Sequence, residues 1–221
     1  YASGKTYKDV AITPKQISLN KYSPSALESL TFKLVLGPRE GTSDASIVTS
    51  DIYRDAINAA RKESGLVIVD TQMMEDSDNS GLFDEVYLPI LTERSRPAYI
   101  VFLTDPSPTS LNNHEARIRH VVRDIGVDPG RVLTALTQVG PQDGNVADKL
   151  QDTVNNGQLD GLFLGSVPFD ETAKASQLAG RIEDRSVTYQ PVINSLLYHV
   201  TGDEQFSVPT EAPRKKWWKR R

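Results

Sequence analysis

The chain has no cysteine. A disulfide scaffold, a Cys-ligated zinc site, an iron–sulfur cluster and a thiol nucleophile are therefore excluded, and a reducing compartment suits such a chain. No apolar run approaches the ~18–20 residues needed to span a bilayer. No secretory signal opens the chain: residues 1–20 are polar and the first residue is Tyr1, not Met. A chain that begins so is expected to be a fragment or a processed product. The Rossmann pattern G-x-G-x-x-G is absent, and so is the full phosphate-loop pattern G-x-x-x-x-G-K-S/T. Gly4-Lys5-Thr6 repeats only the end of the latter. Tyr1-Ala2-Ser3 leaves no room for its first glycine or its strand, and Pro14 arrives too soon for a long helix, so a polar turn fits better. The three histidines (His114, His120 and His199) lack metal-ligand or triad spacing, since His114 and His120 lie six apart.

What is present is a chain of 221 residues, 38% hydrophobic and 24% charged. That is enough apolar content for a packed core, at about one large or two small domains. The net charge of −4 conceals an asymmetry. Arg214, Lys215, Lys216, Lys219, Arg220 and Arg221 put six cations in the last eight residues; removing them leaves −10 for the other 213. An acidic body argues against general nucleic-acid binding by the main domain. The tail combines its cations with Trp217 and Trp218. Three readings stay open for it: an anionic membrane surface, a nucleic acid or other anionic partner, or a cationic end without a partner.

Along the chain, short apolar runs alternate with helical periodicity. Strands are expected at 32–36, 65–70, 99–103, 131–136 and 162–164. Helices are expected at about 51–63, 81–93, 108–125, 144–156, 171–183 and 188–200. Residues 1–31 form an N-terminal segment, 32–201 the main domain, 202–213 a polar linker and 214–221 the basic tail. The alternation predicts an α/β fold, a mostly parallel sheet flanked by helices. Gly65-Leu66-Val67-Ile68-Val69-Asp70, apolar throughout and ending in a carboxylate, suits a parallel strand covered on both faces. In open α/β sheets ligands bind beyond the carboxyl ends of the strands. Any site is then expected from Asp70-Thr71-Gln72, Thr104-Asp105, Thr137-Gln138 and Val167-Pro168-Phe169-Asp170. Asp70 can hold magnesium through water, or can merely start a loop. Glu75, Asp76 and Asp78 follow it without EF-hand spacing, and a solvated loop fits them better. A response-receiver-like domain would need an acidic cluster and a lysine at the strand ends, and the lysine is missing.

The order of these segments resembles the MinD/ParA family of deviant P-loop ATPases, most of all the CpaE/TadZ branch that localises pilus-assembly machinery. The resemblance spans about residues 30–200. It rests on Lys33-Leu34-Val35-Leu36, Leu66-Val67-Ile68-Val69-Asp70-Thr71, Tyr99 to Leu111, and Gly165-Ser166-Val167-Pro168-Phe169-Asp170, the last similar to the family's late G-x-I-P-x-D loop. It implies ATP and magnesium as cofactors, with Asp70 as the Walker B residue near the metal. Thr137 takes the place of a base-contacting Asn, with Gln138 beside it, and Pro168, Phe169 and Asp170 lie by the nucleobase. The helix from Ser107 to Ile125 would lie near a dimer face. It also implies a cytoplasmic protein at the inner face of the membrane, serving a pilus, secretion or conjugation apparatus, with a protein partner and a homodimer. The departures are specific. The family's phosphate loop is not in this chain, Asp70-Thr71-Gln72-Met73-Met74 lacks the Pro and Gly of D-x-P-x-G, and Thr137 replaces the Asn. Hydrolysis by this chain alone is therefore not expected. The alternative is a catalytically inactive α/β scaffold that binds a protein partner without nucleotide.

Overall fold

The computed structural model describes residues 6–13, 32–37, 48–71, 81–179 and 187–208. In chain order these form α1 (Tyr7–Val10), α2 (Ser50–Glu63), a π-helical turn Phe83–Tyr87 running into α3 (Leu88–Thr92), β1 (Ile100–Thr104) and α4 (Pro108–Arg119). Then come β2 (Val132–Val139), α5 (Gly144–Asn155), β3 (Leu162–Pro168), α6 (Glu171–Leu178) and α7 (Gln190–Thr201). The chain divides into two compact units, residues 1–96 with 171–184, and residues 97–170 with 185–221.

The second unit holds the sheet. Its three described strands lie in the order β1-β2-β3 and all run parallel. Parallel neighbours require crossovers, and α4 and α5 supply them. Right-handed crossovers with this strand order put both helices on one face. On that face Phe102 and Thr134, partners in the β1–β2 register, meet His114 of α4. Ile118, Val121 and Val127 are buried along the same connection. The opposite face carries Leu133, Ala135, Leu164 and Val167, which pack on Val192 of α7, with Tyr99 and Leu196 at the margin. The Tyr99 hydroxyl donates to the His199 carbonyl at 3.2 Å, so α7 runs back toward the amino ends of the strands. The alternation expected from the sequence thus forms a parallel sheet with flanking helices. β2 and β3 run past their expected ends, by three and four residues, through register shifts between Thr134 and Ala135 and between Leu136 and Val139. Gly165 stands at one shift with φ +128, and a Cβ there would sit 3.4 Å from Val192 Cγ2. The missing side chain lets α7 approach β3 closely.

In the first unit, α2 is amphipathic as its periodicity predicts. Ile57 is buried, Asp51, Asp55 and Lys62 are exposed, and the helix packs on α1 and on the π-helical turn. Val86, Leu91 and Tyr7 are also buried here. Arg61, 13% exposed, bridges Glu93 at 2.7 Å and also donates to the Arg96 carbonyl at 3.0 Å. Hydrogen bonds from Ser95 and Arg61 hold the Glu93 carboxyl below its usual range.

Two expected strands show no ladder among the described residues. Residues 32–36 contribute a single antiparallel bridge, Ile12 with Leu34. Residues 66–70 carry no ladder, and Leu66, Ile68 and Val69 are 48%, 82% and 41% exposed. A strand exists only through its neighbour, because its main-chain N–H and C=O groups must be paired along a ladder. Apolar composition alone does not supply that neighbour.

Candidate functional site at the carboxyl edge of the sheet

The carboxyl ends of the three strands gather the polar groups of the second unit. At the end of β1, Thr104 is buried and its carbonyl accepts from the Thr137 hydroxyl at 3.2 Å, which ties β1 to β2. The next residue, Asp105, accepts from the Ser107 amide at 2.8 Å and from the Ser110 hydroxyl at 2.7 Å. These bonds organise the start of α4, where Ser107 caps and Pro108 takes the first helical position. Hydrogen bonding from the Ser107 hydroxyl, the Ser110 hydroxyl and the Ser107 amide holds the Asp105 carboxyl below its ordinary range. It is an anion at neutral pH, and its oxygens serve the helix cap.

At the end of β2, Gln138 has φ +58, the only positive φ of a non-glycine residue among those described. Left-handed backbone at an L-residue costs roughly 1–2 kcal/mol, and such residues concentrate at functional sites. The Gly140 amide then donates to Asp143 at 3.0 Å, and a tight turn leads into α5. At the end of β3, the Phe169 amide donates to the Val139 carbonyl at 3.0 Å, while the Phe169 ring is 40% exposed. Asp170 accepts from the Thr188 hydroxyl at 2.8 Å, just before α7.

Thr137, Gln138, Pro168, Phe169 and Asp170 therefore stand together at one edge, on the ends of β2 and β3. Asp70 belongs to the first unit, where it is exposed on a segment that carries no strand among the described residues. Glu75, Asp76 and Asp78 lie outside the described residues, as do Gly4, Lys5 and the whole tail Arg214, Lys215, Lys216, Trp217, Trp218, Lys219, Arg220 and Arg221. Among the described residues no group of three or more His, Asp or Glu is placed to hold a metal ion. No helix among them is long and apolar enough to cross a membrane.

The edge has a definite electrostatic character. Segments 104–110, 137–144, 168–170 and 187–190 contain Asp105, Asp143 and Asp170 but no Lys, Arg or His. A polyphosphate brought here meets carboxylates and helix N-termini without a cationic side chain from these segments. The alternating sequence led to the strand-end positions. It did not reveal Thr188 as the partner of Asp170, which lies 18 residues away, nor the left-handed backbone of Gln138. The Ser107-Pro108 pair was the readable signal for the α4 cap. A separate cavity of about 210 Å³ lies against the first half of α7, lined by Val187, Gln190, Pro191, Asn194, Ser207 and Val208. It is smaller than the ~300–1,000 Å³ of common ligand pockets.

No protein-family model matches this chain, and no curated protein matches it in sequence.

Proposed function

We propose that the chain is a MinD/ParA-like positioning or assembly module for a membrane-associated apparatus of the pilus, secretion or conjugation kind. In this reading ATP and magnesium bind only where a phosphate loop is supplied upstream of the sequence in hand. The observation that carries it is the all-parallel sheet with Thr137, Gln138, Pro168, Phe169 and Asp170 collected at its carboxyl edge. This is where open α/β sheets take ligands. The lack of a cation in the edge segments fits the need for a lysine from elsewhere, because phosphoryl groups require positive charge and amide donors together. The exposed Phe169 ring and the adjacent strained Gln138 suit a base-side wall more than a phosphate cradle.

A second reading is a scaffold that binds a protein partner without nucleotide. It draws support from the internal engagement of the edge. Thr137 is held by Thr104, Asp170 by Thr188, and Asp105 by Ser107 and Ser110.

Calorimetry with magnesium and ATP or ADP separates the two. The positioning reading expects no binding and no turnover by the 221-residue chain, and binding by a longer form that carries the phosphate loop. Absence of binding by both leaves the scaffold. Turnover by the 221-residue chain above a blank, abolished by Asp70→Ala, overturns the dependence on an upstream loop.

A further inference from the structure

Of the nine asparagines in the chain, only Asn156 is followed by glycine. An asparagine side-chain amide can be attacked at Cγ by the main-chain nitrogen of the next residue. Every next residue but glycine sets a side chain beside that nitrogen. The structure supplies the setting. Asn156 caps the carboxyl end of α5 at φ −84 and ψ 3, and Gly157 follows in the left-handed region at φ +68. Both are exposed. A Cβ added to Gly157 would meet nothing within 4 Å, so its peptide has room to turn. In the closed turn the Gly157 amide donates to the Val154 carbonyl at 3.0 Å, and ψ 3 points its nitrogen away from Cγ. Reaction therefore waits for the last turn of α5 to open, and helix ends open at far lower cost than helix middles. The other candidates are held more firmly. Asn58, Asn112, Asn113 and Asn194 lie inside helices, where the following amide is bonded four residues back. The two Asp-Gly pairs could close the same ring, but Asp143 accepts from the Gly140 amide at 3.0 Å and Asp160 accepts from Arg123 at 2.9 Å.

We propose that Asn156 is a site of spontaneous modification, where the folded chain exchanges a side-chain amide for a carboxylate through a cyclic imide. The Gly157 nitrogen gives its proton to water and bonds to Cγ. The bond from Cγ to the side-chain nitrogen breaks, and that nitrogen takes up a proton and leaves as ammonia. Water then opens the imide. Cleavage between the ring nitrogen and Cγ restores an ordinary aspartyl link. Cleavage between the ring nitrogen and the main-chain carbonyl carbon leaves an isoaspartyl link, in which the chain runs through Cγ and is one bond longer. One water is consumed, one ammonia is released, and nothing is oxidised or reduced. Both products work against the turn. A carboxylate at position 156 stands at the negative end of the helix dipole and four residues from Asp152. The longer link also displaces Gln158 and Leu159, whose amides donate to the Thr153 carbonyl at 3.0 and 3.2 Å. Leu159 is 2% exposed, so its displacement reaches the core. The inference does not depend on nucleotide binding.

The test is peptide mapping by mass spectrometry on the folded 221-residue chain, held for weeks in mildly alkaline buffer. Asn156 should gain the mass difference between a hydroxyl and an amino group before any other asparagine does. The same peptide should become a methyl acceptor for an isoaspartyl methyltransferase. Asn156→Gln should lose both signals, because the longer side chain closes its larger ring far more slowly, and should leave the circular dichroism spectrum unchanged. The aged chain should unfold at a lower urea midpoint than the fresh one. Asn156→Asp should reproduce only part of that shift, the rest belonging to the isoaspartyl link. A first gain at another asparagine overturns the proposal, as does a gain at Asn156 that appears only after unfolding in urea. An aged chain with the midpoint of the fresh one overturns the effect on the turn.

Discussion

At 4% exposure His114 has lost nearly all contact with water, and the Thr134 hydroxyl stands 3.2 Å from its Nε2. The Phe102 ring meets it edge-on. Burial, and secondarily the charge of Arg117, push its pKa from 6.5 down to about 4. The unfolded chain therefore takes up a proton that the folded chain refuses. The stability tied to this neutral imidazole is complete above pH 6.5 and is lost as pH falls toward 4. The limiting slope is about 1.4 kcal/mol per pH unit. Urea titrations between pH 7 and 4.5 should show the midpoint falling with acid, and the fall should flatten in His114→Gln. Parallel profiles for the two proteins would assign the acid sensitivity to other groups. The sequence could place His114 on the apolar side of a helix, but desolvation became visible only with Thr134 and Phe102 packed around it. Gln138 shows the same limit from the backbone side. Its residue type gives no sign of φ +58, which follows from the register shift that β2 makes against β3.

Whole elements were more readable than single side chains. The apolar runs at 99–103, 131–136 and 162–164 all became strands, because α4 and α5 return the chain twice to a parallel neighbour. The equally apolar run at 66–70 carries no ladder among the described residues, since periodicity measures burial preference and carries no information about a ladder partner. The extensions of β2 and β3 were unreadable for the opposite reason. Gly165 and Pro168 discourage a strand locally, and pairing with β2 overrides them. The turn that enters β3 depends on a glycine as well. Gly161 has φ +99, and a Cβ there would lie 2.7 Å from the Val132 carbonyl oxygen, a main-chain atom that cannot move aside without shifting β2. Gly161→Ala thus combines a disfavoured φ with a backbone clash, and should destabilise the chain by at least about 1 kcal/mol. Chemical denaturation measures this directly. A midpoint unchanged by Gly161→Ala would mean that the β2–β3 junction yields freely.

Across the whole molecule, charge and ligand edge follow separate logic. The strand-end rule anticipated Thr137, Gln138, Pro168, Phe169 and Asp170 because they follow or end true strands. Asp70, by contrast, lies on a segment that carries no strand among the described residues, whereas the others stand on β2 and β3 or just beyond β3. The acidic balance of −10 over the first 213 residues repels anionic surfaces, whereas the six cations and two tryptophans of the last eight attract them. Near an anionic bilayer each Lys or Arg contributes about 1 kcal/mol, and the effect decays within a Debye length. Tryptophan adds an interfacial preference that salt does not screen. The chain should therefore sediment with vesicles rich in phosphatidylserine at low salt and release as salt rises, with weak binding to neutral vesicles. Removal of residues 214–221 should abolish the anionic binding and leave the circular dichroism spectrum of the body unchanged. Trp217→Ala with Trp218→Ala should leave binding that salt reverses more completely. Equal vesicle binding with and without the tail would move the contact to the body, against its own charge. Binding to single-stranded nucleic acid at concentrations where vesicles are ignored would give the tail the other anionic partner its composition allows.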